Sequence, residues 1–240
     1  MGGLAGAAGD GRLTPSPAPV WLEGGGAVLP RWSGAPLVWL LDLDLPADRD
    51  RIETSAPSPD ETRAFAGRLD AAYRVLRRRA ARLLLAATSG SPAGGVAIMS
   101  DRLGAPLVQA PAGWWLSAAA RWPRCVVAVD RRPIGVDLEV ATTPLPADLL
   151  TAPEQALVAA LPPGERPLAG AAAWAAKEAH AKWSGRPREV NPAAVETSEA
   201  GSVRSSWGTT LVWRKMLGNA VVAVCQATDQ STVEAVRLEG

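Results

Sequence analysis

The chain has 240 residues, 48% of them hydrophobic, and 25 Lys and Arg balance 24 Asp and Glu for a formal net charge of +1. That length supports one domain or two small ones around a real apolar core, and the near-zero charge argues against a general nucleic-acid binder. A single histidine, His180, excludes His-dependent triads and His-rich metal sites. Cys125 and Cys225 each sit in an apolar, strand-like run, so buried thiols of a reducing cytoplasm are expected rather than a disulfide or a metal site.

Residues 1–34 are rich in Gly, Ala and Pro and lack a basic start followed by an apolar run. They read as a flexible or poorly packed leader rather than a secretory signal. The apolar stretch 35–41 is too short to span a bilayer, so a soluble protein without membrane attachment is expected. Residues 36–45 read as the first strand and the Pro/Asp-rich segment up to Pro59 as a loop. Ser58-Pro59-Asp60-Glu61 supplies a cap and first-turn acids for a helix whose apolar positions run through Phe65, Leu69, Tyr73 and Leu76. Seven arginines lie between Arg63 and Arg82. A solvated face is expected for most of them, and no aromatic interleaving accompanies them as nucleic-acid binding would require.

Residues 89–95 form a glycine-containing loop without a phosphate-binding motif. Residues 125–129 read as a buried strand, 130–133 as a polar turn and 134–140 as a second strand. On that strand Asp137 and Glu139 share one face while Val136 and Leu138 point to the core. A short helix over 153–161 precedes an alanine-rich helix over 168–183, stopped by Gly185-Arg186-Pro187. At helical spacing Trp174, Lys177, Glu178, Ala181 and Lys182 make one stripe, with Trp174 as its anchor. Strands are expected at 203–207, 209–214 and 220–226, and Val-Val-Ala-Val recurs at 126–129 and 221–224, which fits two similar halves.

If the helix faces the strand, Asp137, Glu139 and Glu178 meet. Three carboxylates around one point repel unless a hard cation lies between them, and Mg²⁺ takes carboxylates together with phosphate oxygens. Lys182, one turn from Glu178, then suits a phosphoryl substrate or leaving group. The plainer alternatives stay open on spacing alone. Asp137 and Glu139 also fit a solvated edge strand, and Glu178 with Lys182 fits a surface pair worth about 0.3–0.5 kcal/mol. His180 is open to either solvent or the cleft.

Ile134-Gly135-Val136-Asp137-Leu138-Glu139 and Trp174-Ala175-Ala176-Lys177-Glu178-Ala179-His180-Ala181-Lys182, in this order and spacing, resemble the two signature motifs of the 4'-phosphopantetheinyl transferase superfamily. The resemblance extends over roughly residues 37–235 and implies an α+β pseudodimer, with halves at 35–130 and 131–240 and the active site in the cleft between them. It further implies a cytoplasmic, monomeric enzyme that moves 4'-phosphopantetheine from coenzyme A to a serine of an apo acyl- or peptidyl-carrier protein. Asp137, Glu139 and Glu178 would hold Mg²⁺, Glu178 would take the serine proton, and Lys177 or Lys182 would steady the phosphate. For coenzyme A the resemblance points to Arg74, with Arg77 and Arg78 as alternatives, and to Gly104, Pro106 and Ser117. Two departures stand out: Ala105 replaces the family's lysine between Gly104 and Pro106, and Ala118 replaces its histidine after Ser117. A relative that binds carrier proteins without efficient transfer is the alternative these alanines raise.

Overall fold

The structure, a computed structural model, describes residues 16–56, 58–101, 104–141, 146–198 and 200–228. The two Val-Val-Ala-Val runs lie in β6 (Arg124–Asp130) and β11 (Ala220–Ala227), each an inner strand of its sheet. In the first sheet β6 runs antiparallel between β2 (Leu37–Asp42) and β5 (Trp115–Arg121). In the second, β11 runs antiparallel between β7 (Gly135–Val140) and β10 (Gly208–Leu217), and β9 (Ser202–Ser205) and β8 (Glu196–Thr197) extend the far edge. Helix α3 (Ala71–Ser89) separates β2 from β5 in the chain as α5 (Arg166–Trp183) separates β7 from β10. Both halves therefore use one order: a strand, a long helix, and a hairpin whose second strand inserts at the centre.

Alternation along these strands places the core. Val38, Leu40, Val126 and Ala128 of the first sheet meet Val136, Leu138, Val222 and Val224 of the second in one apolar layer. The alternate residues face the helices: Trp39, Val127 and Val129 pack under Ala80, Leu84 and Leu85 of α3, and Val221, Ala223 and Cys225 under Ala175, Ala179 and Trp183 of α5. Strands covered on both faces read as unbroken apolar runs, which is why the two Val-Val-Ala-Val segments stand out in the sequence. The fold is α+β, as expected.

Several local expectations need correction. Residues 1–15 of the supposed leader lie outside the described residues, but its later part is built into the fold. Val20–Glu23 forms β1, parallel to β2, and Trp32 donates from Nε1 to Asp130 Oδ1 (2.9 Å). A parallel partner hidden in β2 leaves no local signal. The supposed loop 46–59 contains α1 (Pro46–Glu53), whose buried Asp48 accepts from the Gly25 (2.6 Å) and Asp42 (2.7 Å) amides. The helix expected from Asp60 is two helices, α2 (Pro59–Phe65) and α3, separated where Gly67 takes φ +78°. Of the seven arginines, Arg79 and Arg82 are the buried ones, donating to the Ser55 (2.6 Å) and Ala56 (2.5 Å) carbonyls, and Arg82 also pairs with Glu61 at 3.3 Å. They lock α3 to the α1–α2 connection. A hairpin of β3 (Ala97–Ser100) and β4 (Pro106–Ala110) completes the strands. Both cysteines are free and buried, and burial pushes each thiol up to about 12. Among the described residues no helix is long and apolar enough to cross a membrane.

His180 faces neither solvent nor a cleft. It is fully buried, its Nδ1 lies 2.9 Å from Thr210 Oγ1 and its Nε2 2.8 Å from Ser205 Oγ, and its ring stacks with Trp183 and Trp207. Burial pushes the imidazole down to about 4. Below about pH 6.5 the unfolded chain binds a proton that the folded chain refuses until about pH 4, so this group withdraws stability as pH falls through that window, by at most about 1.4 kcal/mol per pH unit. Urea unfolding at pH 7, 6 and 5 should show that slope in the wild type and a shallower one in His180→Gln; equal slopes would remove His180 from the acid response.

Candidate active site

Gly135 creates the site. A Cβ on this residue would lie 1.8 Å from the Ala179 carbonyl oxygen and 2.5 Å from the Trp183 amide nitrogen, so α5 rests directly on the bare backbone of β7. Asp137 and Glu139 follow at two-residue steps on the same face and are thereby held against α5. Val136 and Leu138 point the other way into the layer between the sheets, as their alternation predicts. From the helix, Lys182 donates to Asp137 Oδ1 (2.6 Å) and to the Val136 carbonyl (3.2 Å). Glu178, one turn earlier, is half-buried on the same side.

The three carboxylates feel one another. Glu178 is pushed up to about 7, first by burial and then by the charge of Asp137, against the pull of Lys182. Glu139 is likewise raised by burial and by Asp137, while Arg121 draws it back. Asp137 Oδ2 is buried without a hydrogen-bond partner. Leaving an acceptor of a charged group unsatisfied costs several kcal/mol, roughly, unless something donates to or coordinates it. An open anionic oxygen whose carboxylate is felt by two others is chemistry that suits a hard divalent cation, and in that respect the residue types fit Mg²⁺. As placed, they do not close a cage. Among the described residues no three His, Cys, Asp or Glu side chains stand together as metal ligands, and Glu139 is gripped through both oxygens by Arg121, at 3.0 Å to Nε and by a shorter contact to Nη2.

Other residues singled out in the sequence fall elsewhere. Lys177 is fully buried on a different side of α5, where its ammonium pairs with Glu154 Oε2 (2.6 Å) and donates to the Pro192 carbonyl (2.8 Å). Position 177 lies about 100° around the helix from position 178, so Lys177 makes this pair away from the side that carries Glu178. Trp174 is half-buried, and Trp183 is the tryptophan sealed under α5. Arg74 pairs with Asp70 at 2.8 Å, and Arg77 lies over the Trp122 ring, 5.4 Å from its centroid. Arg78 donates to the Met99 carbonyl and to Ser100 Oγ, both at 2.9 Å. Gly104 turns the β3–β4 hairpin at φ +86°, with the Arg188 guanidinium 3.8 Å from where its Cβ would be, and Pro106 opens β4. Among the described residues no hydrogen bond or ion pair is seen joining Arg74, Gly104 or Pro106 to the three carboxylates.

Ser117 is buried and accepts from the Val136 amide (3.0 Å), which fastens β5 to β7. Ala118, on the opposite face of β5, packs against the core beneath α3. Arg121 was missed by sequence reasoning. Its signal was the two-residue repeat Ser117, Ala119, Arg121 along β5, but nothing local reveals that this face borders Glu139.

These elements define an α+β protein whose acidic seam between a strand and a helix suits the handling of phosphoryl groups. A family model described as the 4'-phosphopantetheinyl transferase superfamily matches residues 133–225, from just before β7 into β11. A search of curated proteins finds no match.

Proposed function

We propose that this protein transfers 4'-phosphopantetheine from coenzyme A to a serine of an apo acyl- or peptidyl-carrier protein, with Mg²⁺ held by Asp137, Glu139 and Glu178. The observation that carries the reading is the partnerless, buried Asp137 Oδ2 facing the seam that Glu139 and Glu178 share. A cation bound there supplies charge neutralisation for the diphosphate as its anhydride bond breaks. Glu178 accepts the serine proton as the serine oxygen bonds to the phosphorus that carries pantetheine. The bond from that phosphorus to the bridging oxygen breaks, and adenosine bisphosphate leaves. Lys182 fixes Asp137 and places a positive charge beside the phosphates. In this reading the two halves act as a monomeric pseudodimer in the cytoplasm, with coenzyme A held near Arg74, Gly104, Pro106 and Ser117.

One observation favours a second reading. Ala105 and Ala118 bring no charge, and Ala118 faces the core under α3, so a carrier-protein binder without efficient transfer is the competing conclusion. Mass spectrometry separates the two. A panel of apo carrier proteins incubated with coenzyme A and Mg²⁺ should gain about 340 Da, one phosphopantetheine, with the wild type and nothing with Glu178→Ala. Binding to a carrier without mass gain, even at high coenzyme A, would establish the second reading instead.

A further inference from the structure

We infer that Arg121 is a resident counter-cation of the acidic seam, which a divalent ion must displace from Glu139 before the three carboxylates can act together. The inference rests on the transfer reading above for the identity of the ion, and on geometry for the rest. Ser117, Ala119 and Arg121 share the face of β5 that borders β7: Ser117 accepts from the Val136 amide, Ala119 lies in the layer between the sheets, and Arg121 reaches Glu139. The guanidinium fork engages both oxygens of Glu139, whose side chain is 8% exposed, so an ion reaching that carboxylate competes with Arg121 at either oxygen. Asp137 differs, since Lys182 takes only Oδ1 and leaves Oδ2 open. The Arg121 side chain is itself 50% exposed, so it can swing into solvent without disturbing packed neighbours.

This arrangement explains why three mutually repelling carboxylates share a seam and yet, among the described residues, form no ready cage. A monovalent guanidinium neutralises one of them until a doubly charged ion competes for the same oxygens. Arg121 thereby sets the concentration of divalent ion at which the site fills.

The test is Mn²⁺ titration of the full chain, followed by the electron paramagnetic resonance of the free ion, with no carrier protein or coenzyme A present. Arg121→Ala should bind Mn²⁺ about five- to thirty-fold more tightly than the wild type, the size expected on removing one charge-assisted competitor. Arg121→Lys, which keeps the charge and loses the fork, should fall between them and guards against a folding defect in the first variant. Unchanged or weaker affinity in Arg121→Ala overturns the inference. Asp137→Asn separates this failure from that of the underlying reading. If it weakens Mn²⁺ binding while Arg121→Ala changes nothing, only the counter-cation falls. If it too leaves Mn²⁺ binding unchanged, the ion lies away from the carboxylates and both fall.

Discussion

Lys177→Ala and Glu154→Ala should each destabilise the fold by about 3–5 kcal/mol, because each leaves its partner as an uncompensated buried charge. The pair is sealed: Lys177 is 0% exposed and Glu154 is 4% exposed. Glu154, in the first turn of α4 (Ala152–Ala160), does more than pair. Its Oε2 accepts from the Thr151 amide (2.7 Å) to close a capping box, and its Oε1 accepts from the amide (2.9 Å) and hydroxyl (2.7 Å) of Thr197 on β8. Burial raises this carboxyl, but Lys177 and these donors outweigh it, and the net shift is downward. One ion pair therefore joins α4, α5 and the far edge of the second sheet. Lys177→Met together with Glu154→Gln should cost at least about 2 kcal/mol less than the sum of Lys177→Met alone and Glu154→Gln alone, since Gln keeps an acceptor for Thr197 and Met fills the lysine channel. Urea unfolding of the four proteins measures this coupling. If Lys177→Ala were as stable as the wild type but lost transfer, the lysine would belong to the chemistry after all.

Lys177 also shows where sequence reading stops. Strand alternation around Gly135 was legible because a period of two assigns Asp137 and Glu139 to one face with no knowledge of partners. The helix carrying Glu178 and Lys182 was legible from its alanine content and its Gly185-Arg186-Pro187 stop. Which neighbour covers each side of that helix was not, since Glu154 comes from a separate helix and Pro192 from a later turn. Arg121 was hidden for the same reason, its partner Glu139 lying on the strand after next. The first half was less legible than the second. Val20–Glu23 pairs in parallel with β2 through backbone hydrogen bonds that leave no pattern. The eight residues of α1 bury only Asp48 and Ile52 and have no side-chain N-cap, so neither periodicity nor capping marks them.

Gly135→Ala should cost about 3–5 kcal/mol and lower Tm by roughly 10 °C or more. The added methyl would meet the Ala179 carbonyl at 1.8 Å and the Trp183 amide at 2.5 Å, both backbone atoms of α5, so no side chain can rotate away. The helix must instead lift from β7, and Ala175, Ala179 and Trp183 would lose their close packing on Val221, Ala223 and Cys225. The same displacement separates Glu178 and Lys182 from Asp137, so Mn²⁺ affinity should fall in a protein that still folds at low temperature. Gly164→Ala is the matched control: a Cβ there meets nothing within 4 Å, and its cost should stay within about 0.5 kcal/mol. Thermal melts of both variants beside the wild type, with Mn²⁺ titration below the transition, read the two effects separately. Loss of stability without loss of ion affinity would mean that α5 tilts about its Lys182 end and keeps the carboxylates together. An unchanged Tm in Gly135→Ala would instead show that the helix does not press on β7 at all, and the convergence of the two motifs would need another cause.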